Sequence, residues 1–193
     1  MRTLIVSAIA LAAATPAAAQ TATGSTNNFD GARIEARIGW ETPTVSGDGD
    51  VYKLGSAVSY GAEVGYDLAI SPTVTVGPYA SWEQSSVELE DDFSSVSIKV
   101  GRNYQLGGRV GFGLGNINLY GKVGYSNIKL SLEGAGADDY SDTKGGIGGG
   151  LGVEGNMGKN AYWGIEGNYS DFGKFEGINL QRRQLAGKVG FRF

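Results

Sequence analysis

Twelve charged residues recur at alternating positions within short apolar segments: Arg33, Arg37, Arg109, Lys122, Lys188 and Arg192 as cations, and Glu35, Glu63, Asp67, Glu83, Glu154 and Glu166 as anions. Groups of these types support three kinds of chemistry. Two carboxylates in a dry site can act as acid and base, glycines beside a cation can cradle a phosphate, and clustered acids can hold a divalent ion. Glu63 and Glu166 are the candidates for a carboxylate-only mechanism, yet carboxylates interleaved with as many Arg and Lys side chains more often serve as their ionic partners. Gly115 to Lys122 puts five residues between its glycines where a phosphate loop has four, and Val123 stands where a hydroxyl residue belongs. The acidic runs at Asp48 and Asp50, Glu90 to Asp92, and Asp138 and Asp139 lack the twelve-residue spacing of a calcium loop and read as solvated loops. The chain has no His and no Cys, which removes imidazole bases, imidazole and thiolate metal ligands, thiol nucleophiles and disulfides. The expectation is a protein that is not an enzyme, with no catalytic, metal or cofactor-binding residue and no cofactor.

Positioning these charges requires β-strands. The pentapeptide Gly-(Arg/Lys)-Val-Gly-(Phe/Tyr) occurs at Gly108 to Phe112, Gly121 to Tyr125 and Gly187 to Phe191. Successive strand side chains point to opposite faces, so each copy sets its cation against Val and the aromatic ring. Eight segments alternate in this way: Ala32 to Trp40, Leu54 to Ile70, Thr73 to Glu83, Lys99 to Leu114, Ile117 to Leu130, Lys144 to Met157, Ala161 to Ser170 and Arg182 to Phe193. Lys144 to Met157 is crowded with glycine, but Ile147, Leu151 and Val153 keep the alternate positions opposite Glu154 and no helical period follows. A glycine-lined strand is therefore expected over a phosphate-binding loop. Pro78 sits within the third segment and cannot donate to a ladder, which predicts a bulge there.

Ser71-Pro72, Gly115-Asn116 and Gly158 to Asn160 are short turns, whereas the remaining connections are long and acidic. The chain opens with Arg2, an uncharged apolar stretch from Leu4 to Ala14, and small residues up to Ala19, the order of a secretory signal peptide. Cleavage is expected between Ala19 and Gln20, because the apolar run is too short for a membrane-spanning helix. Residues 20–30 read as a flexible lead-in, and residues 31–193 as one domain. Loss of Arg2 leaves 15 basic and 20 acidic residues, and the balanced charge of the strands assigns the excess to the loops.

The apolar face of such a sheet could line a ligand cavity, as in a soluble carrier barrel, or face lipid. Two features favour lipid. Aromatic residues gather at both strand ends, with Trp40, Tyr60, Trp82, Tyr104, Tyr125 and Tyr169 toward the loops and Tyr66, Phe112, Trp163, Phe191 and Phe193 toward the turns. The charged face also carries Gly61, Gly65, Gly107, Gly111, Gly124, Gly148, Gly150 and Gly190, which leave room for long ionic chains inside a narrow cylinder. The predicted fold is all-β, an eight-stranded antiparallel up-and-down transmembrane β-barrel, with the twelve charges forming a lumen ion-pair network.

On the signal peptide, the repeated Gly-basic-Val-Gly-aromatic strands and the closing run from Lys188 to Phe193, the chain resembles the small outer-membrane β-barrel proteins of Gram-negative bacteria, the opacity-like or porin-like family with an OmpA-type barrel. The resemblance implies residence in the bacterial outer membrane, contact with outer-membrane lipid and lipopolysaccharide, and insertion by the barrel assembly machinery reading Phe193 as a terminal signal. It implies a structural or narrow-pore role. The alternative is a surface adhesin that binds a host or envelope ligand through the loops Thr42 to Lys53, Gln84 to Ile98 and Glu133 to Thr143. The histidine-dependent lipases and proteases built on related folds do not carry over, and the alternation of acids with bases gives no support for nucleic-acid binding.

Overall fold

A computed structural model describes residues 27–47, 50–53, 55–86, 88–90, 96–134, 140–175 and 178–193. The expected signal peptide and its Ala19–Gln20 cleavage point lie outside the described residues. The strands are β1 (Gly31–Gly47), β2 (Asp50–Lys53), β3 (Ala57–Ala69), β4 (Val74–Ser85), β5 (Glu88–Glu90), β6 (Val96–Leu114), β7 (Ile117–Gly134), β8 (Tyr140–Met157), β9 (Ala161–Phe175) and β10 (Ile178–Arg192). β2 and β5 are short additions to β1 and β6. The eight long strands pair antiparallel in chain order, and β10 returns to pair with β1 from Arg33 with Arg192 to Ser46 with Asn179, which closes the sheet into a barrel.

The alternation written in the sequence is the alternation of the wall. On β1, Arg33, Glu35, Arg37, Gly39 and Glu41 are buried while Ile34, Ala36, Ile38 and Trp40 are exposed, and β10 repeats the pattern from Arg182 to Arg192. Among the described residues, most large apolar side chains are exposed and most charged strand residues are buried. That inversion is stable where the outside is hydrocarbon, because apolar wall side chains then meet acyl chains and every backbone group of a closed barrel finds a partner. Leu151, Ile147 and Leu106 on the outside and Glu63, Glu154 and Glu166 on the inside mark the two extremes.

Three local expectations are corrected. Pro78 causes no bulge: the β3–β4 register is the same on either side of it, and only the pairs of Tyr66 with Pro78 and Asp67 with Gly77 drop out of the ladder. On the other side Pro78 pairs with Gly108 in an unbroken β4–β6 ladder. In an antiparallel ladder a residue's N–H points to one neighbour, so its loss interrupts one ladder without inserting a residue. The register shifts fall elsewhere, between Val100 and Asn103 on β6 and between Asn179 and Gln181 on β10.

The expected loops are also shorter than the sequence suggested. β6, β7 and β8 reach 18 or 19 residues, against the roughly 9–11 that a tilted strand needs to cross a bilayer. The surplus forms hairpins at the loop end, where backbone pairing continues although on β7 the apolar residues Ile128, Leu130 and Leu132 have moved to the parity of Lys122.

Finally, Asn27 to Asp30, expected as the end of a flexible lead-in, are anchored. Phe29 is fully buried at the turn end of the barrel. Asn27 Nδ2 donates to the Ser71 carbonyl at 3.3 Å, Asn156 Nδ2 donates to the Asn28 carbonyl at 3.4 Å, and Asp30 Oδ1 accepts from the Ala69 N–H at 2.8 Å. The tetrapeptide thus crosses the mouth of the barrel and touches two of its turns.

Candidate functional site

The interior is one connected ionic lattice. All twelve predicted residues are brought together in it, and two that sequence reasoning missed, Glu41 and Arg182, join them. Seven cations therefore face seven anions among the buried residues.

At the turn end, Arg33 meets Glu63 at 2.8 Å and Asp67 at 3.2 Å, Arg109 meets Glu154 at 2.7 Å, and Arg192 reaches Asp67 at 3.2 Å and Glu154 at 2.7 Å. Asn118 Nδ2 donates to Glu154 at 3.0 Å. The Phe29 ring lies 5.3 Å from the Arg192 guanidinium, so the N-terminal tetrapeptide stops the end of the lattice with an aromatic face turned to a cation.

In the middle, Lys122 bridges Glu63 and Glu166 at 2.8 and 2.7 Å, and Arg37 bridges the same two carboxylates at 2.8 and 2.5 Å. Lys188 approaches Glu35 at 3.0 Å. Two tyrosines complete this level: Tyr162 Oη donates to Glu35 and Tyr120 Oη to Glu166, each at 2.7 Å. Their rings serve a second purpose, since Arg109 lies 3.8 Å and Lys188 4.4 Å from the centre of Tyr120. A third tyrosine, Tyr79, offers its face to Lys122 at 5.0 Å.

Toward the loop end, Arg37 Nε meets Glu83 at 2.8 Å and Arg182 meets the other Glu83 oxygen at 2.6 Å. Arg182 Nε donates to Glu41 at 2.6 Å, and Ser85 Oγ donates to the same carboxylate. Gln184 Nε2 donates to Ser59 Oγ at 2.7 Å and to Glu83 at 3.2 Å. Beyond these, the apolar side chains of Ile128, Phe172 and Leu180 are buried near the loop end of the wall.

Glycine makes space for these chains. A Cβ built at Gly65 would stand 2.8 Å from an Arg33 guanidinium nitrogen, and one at Gly164 would stand 2.7 Å from Lys188 Cε. Of the glycines expected to provide lumen space, Gly148 faces Gln105 and Ser170, and Gly190 faces the Tyr162 ring. Glu41, Arg182 and the tyrosines were legible by parity: Glu41 continues the odd positions of β1 past Arg37, and Arg182 continues the even positions of β10 below Lys188. Tyrosine on a charged face was the signal for an ionic interior that also uses aromatic faces.

Chemically, the lattice holds matched charges out of water. An isolated buried charge is costly, and bidentate or multiply bridged pairs with further hydrogen bonds are what offset that cost. Glu63 and Glu166, the pair considered for acid–base work, are both occupied by cations. Among the described residues no group of three or more acidic side chains is arranged to hold a metal ion.

Comparison with known proteins agrees with this architecture. No curated protein matches the sequence. Among solved structures, the chain is similar in fold to Ail, the attachment invasion locus protein of Yersinia pestis, in complex with the heparin analogue sucrose octasulfate, at 19% identity over 84% of this chain and 99% of that one, with a TM-score of 0.56. Neisserial surface protein A is similar at 15% identity over 83% and 97%, with a TM-score of 0.54. OprG from Pseudomonas aeruginosa is similar at 13% identity over 88% and 99%, with a TM-score of 0.52. The family model for the outer membrane protein beta-barrel domain matches residues 5–193. The chain belongs to that outer-membrane β-barrel family, and its place is the bacterial outer membrane.

Proposed function

We propose that this protein is a closed structural barrel that conducts no solute and anchors the hairpins of its loop end in the outer membrane. The observation that carries the reading is the occupied lumen: fourteen charged side chains, each nearly or fully inaccessible, fill the barrel in three connected levels, with Phe29 stopping the turn end. An eight-stranded barrel is only wide enough for its own side chains, and here those side chains hold one another. Glu63 and Glu166 are each held by both Lys122 and Arg37, which supports a structural use of the lumen carboxylates. Recording the purified protein in planar bilayers checks the reading. The expected result is a silent membrane, and a steady wide conductance overturns it.

A second reading, surface binding, is favoured by the hairpins that β6, β7 and β8 carry past the wall. Ail was solved with a polyanionic heparin analogue, but the loop end here is acidic, so the partner chemistry that fits this chain is a basic peptide or protein surface. Deleting the loop segments 42–53, 84–98 and 133–143 should abolish adhesion and leave the barrel folded; unchanged adhesion removes this reading. Phe193 fits the role of terminal assembly signal, since its backbone N–H donates to the Ala32 carbonyl at 2.9 Å, closing the last rung, while its ring is exposed on the wall.

A further inference from the structure

Each of the seven lumen cations meets at least one acid, whereas several cations on the outside of the barrel, Arg183 among them, meet none among the described residues, and two of these stand side by side. Arg102 on β6 and Lys129 on β7 project from the outer wall at its loop end. The irregularity of the β6–β7 ladder brings them together: Val100 pairs with Leu130 and Asn103 with Ile128, so Gly101 and Arg102 both stand opposite Lys129. A bulge of this kind bends its strand and re-aims a side chain. The approach is close, since a Cβ at Gly101 would lie 3.6 Å from the Lys129 Cβ.

Like charges side by side on one face of a sheet disfavour the pair, and an anion between them reverses the sign. The neighbourhood identifies the kind of anion. Arg102 leans over the Tyr104 ring, 5.7 Å from its centre. Tyr104 pairs with Trp82 on one side, and Leu106 pairs with Tyr125 just below. All four are exposed on the wall. A cationic pair directly above an aromatic and apolar surface fits an amphiphile whose tail lies along the wall and whose anionic group sits at the level of the bulge. The acidic loop end disfavours a large anionic partner arriving from solvent, but it does not oppose a headgroup held in the plane of the membrane.

We propose that Arg102 and Lys129, juxtaposed by the β6 bulge, clamp the phosphate of a lipid headgroup seated on the outer wall of β6 and β7. The site is separate from the lumen lattice and from any pore or adhesive role.

Trp82, adjacent to the site, is its reporter. The full chain carrying Trp40→Phe and Trp163→Phe is reconstituted in phosphatidylcholine vesicles, and folding is checked by the heat-dependent shift in electrophoretic mobility. Quenching of Trp82 by brominated phosphatidic acid is then compared with quenching by brominated phosphatidylcholine at equal mole fraction. The expected result is preferential quenching by phosphatidic acid, about fivefold in relative association for each cation. Arg102→Gln with Lys129→Gln should remove the preference, and Arg102→Lys should keep it. A companion chain with Trp163 as sole tryptophan, at the turn end, should show none. Equal quenching by the two lipids, a preference that survives the double Gln variant, or loss of the preference on adding millimolar inorganic phosphate each overturns the proposal. The last outcome would assign the pair to free phosphate.

Discussion

The lumen and the loop end obey different rules of charge. Inside the barrel seven acids and seven bases cancel, each nearly or fully buried and each within ion-pair distance of a partner. In the segments at and beyond the loop end the sequence places twelve acids against seven bases, which accounts for the negative balance of the whole chain. The difference follows from the surroundings. A charge in a narrow dry cylinder must be matched by its immediate neighbours, because nothing else solvates it. A charge in water is solvated wherever it stands, so the loop end is free to carry a net sign that serves solubility or recognition. Neutrality is thus a structural requirement in one region and a matter of function in the other.

The sharpest way to break this comparison is to remove one lumen charge. Glu63 meets Arg33, Arg37 and Lys122. Glu63→Gln leaves three cations sharing the remaining acids, and removing one partner of a buried pair costs about 3–5 kcal/mol. Urea unfolding of the protein in lipid vesicles should show a loss of that size. The Glu41–Arg182 pair, at the edge of the lattice, sharpens the point: Glu41→Gln and Arg182→Gln should each destabilise, and the double variant should cost less than the two together by about 0.5–3 kcal/mol. Additive losses would mean that the pair is incidental.

A smaller effect is expected where the lattice ends in an aromatic ring. Phe29→Ala removes the stopper from the turn end and exposes Arg192 to water, where the guanidinium is well solvated. The cost should be that of the lost apolar burial, about 1.5–3 kcal/mol, with faster hydrogen exchange of backbone amides around Ala69 and Gly113 and little change near Glu41. Uniform exchange along the strands would show that the tetrapeptide does not seal that end.

Much of this was legible in the sequence because a barrel wall is periodic. The period of two assigned Arg33, Glu35 and Arg37 to one face and Ile34, Ala36 and Ile38 to the other, and the register of β1 with β10 keeps that assignment around the closure. Where the pattern changes parity it no longer marks the wall. At the hairpin end of β7 the apolar residues Ile128, Leu130 and Leu132 fall on the parity of Lys122, and the start of β8 from Tyr140 to Lys144 is polar, although backbone pairing continues there. At Pro78 the missing donor suggests an extra residue, whereas the ladder simply omits two rungs. The N-terminal tetrapeptide was illegible for another reason: Phe29 is a single apolar residue in a polar stretch, and only the closed mouth of the barrel gives it somewhere to go. The specific partners inside the lumen, such as the shared hold of Lys122 and Arg37 on Glu63 and Glu166, depend on which strands lie across the cylinder, which no local pattern encodes.

The smallest expected effect lies at the loop end and tests the other half of the comparison. Lys53 is exposed at the end of β2. Its replacement, Lys53→Gln, changes the net charge by the same single unit as Glu63→Gln, though with opposite sign. If the surroundings decide the energetic weight of a charge, stability in urea should move by no more than about 0.5 kcal/mol. Any residual effect should fade as salt is raised from about 0.01 to 1 M, because the screening length then falls from about 30 to 3 Å. The Glu63→Gln loss should persist at high salt, since mobile ions cannot enter the filled lumen. A Lys53→Gln loss as large as that of Glu63→Gln, or a Glu63→Gln loss that salt removes, would mean that the buried lattice and the solvated loop end do not differ in kind.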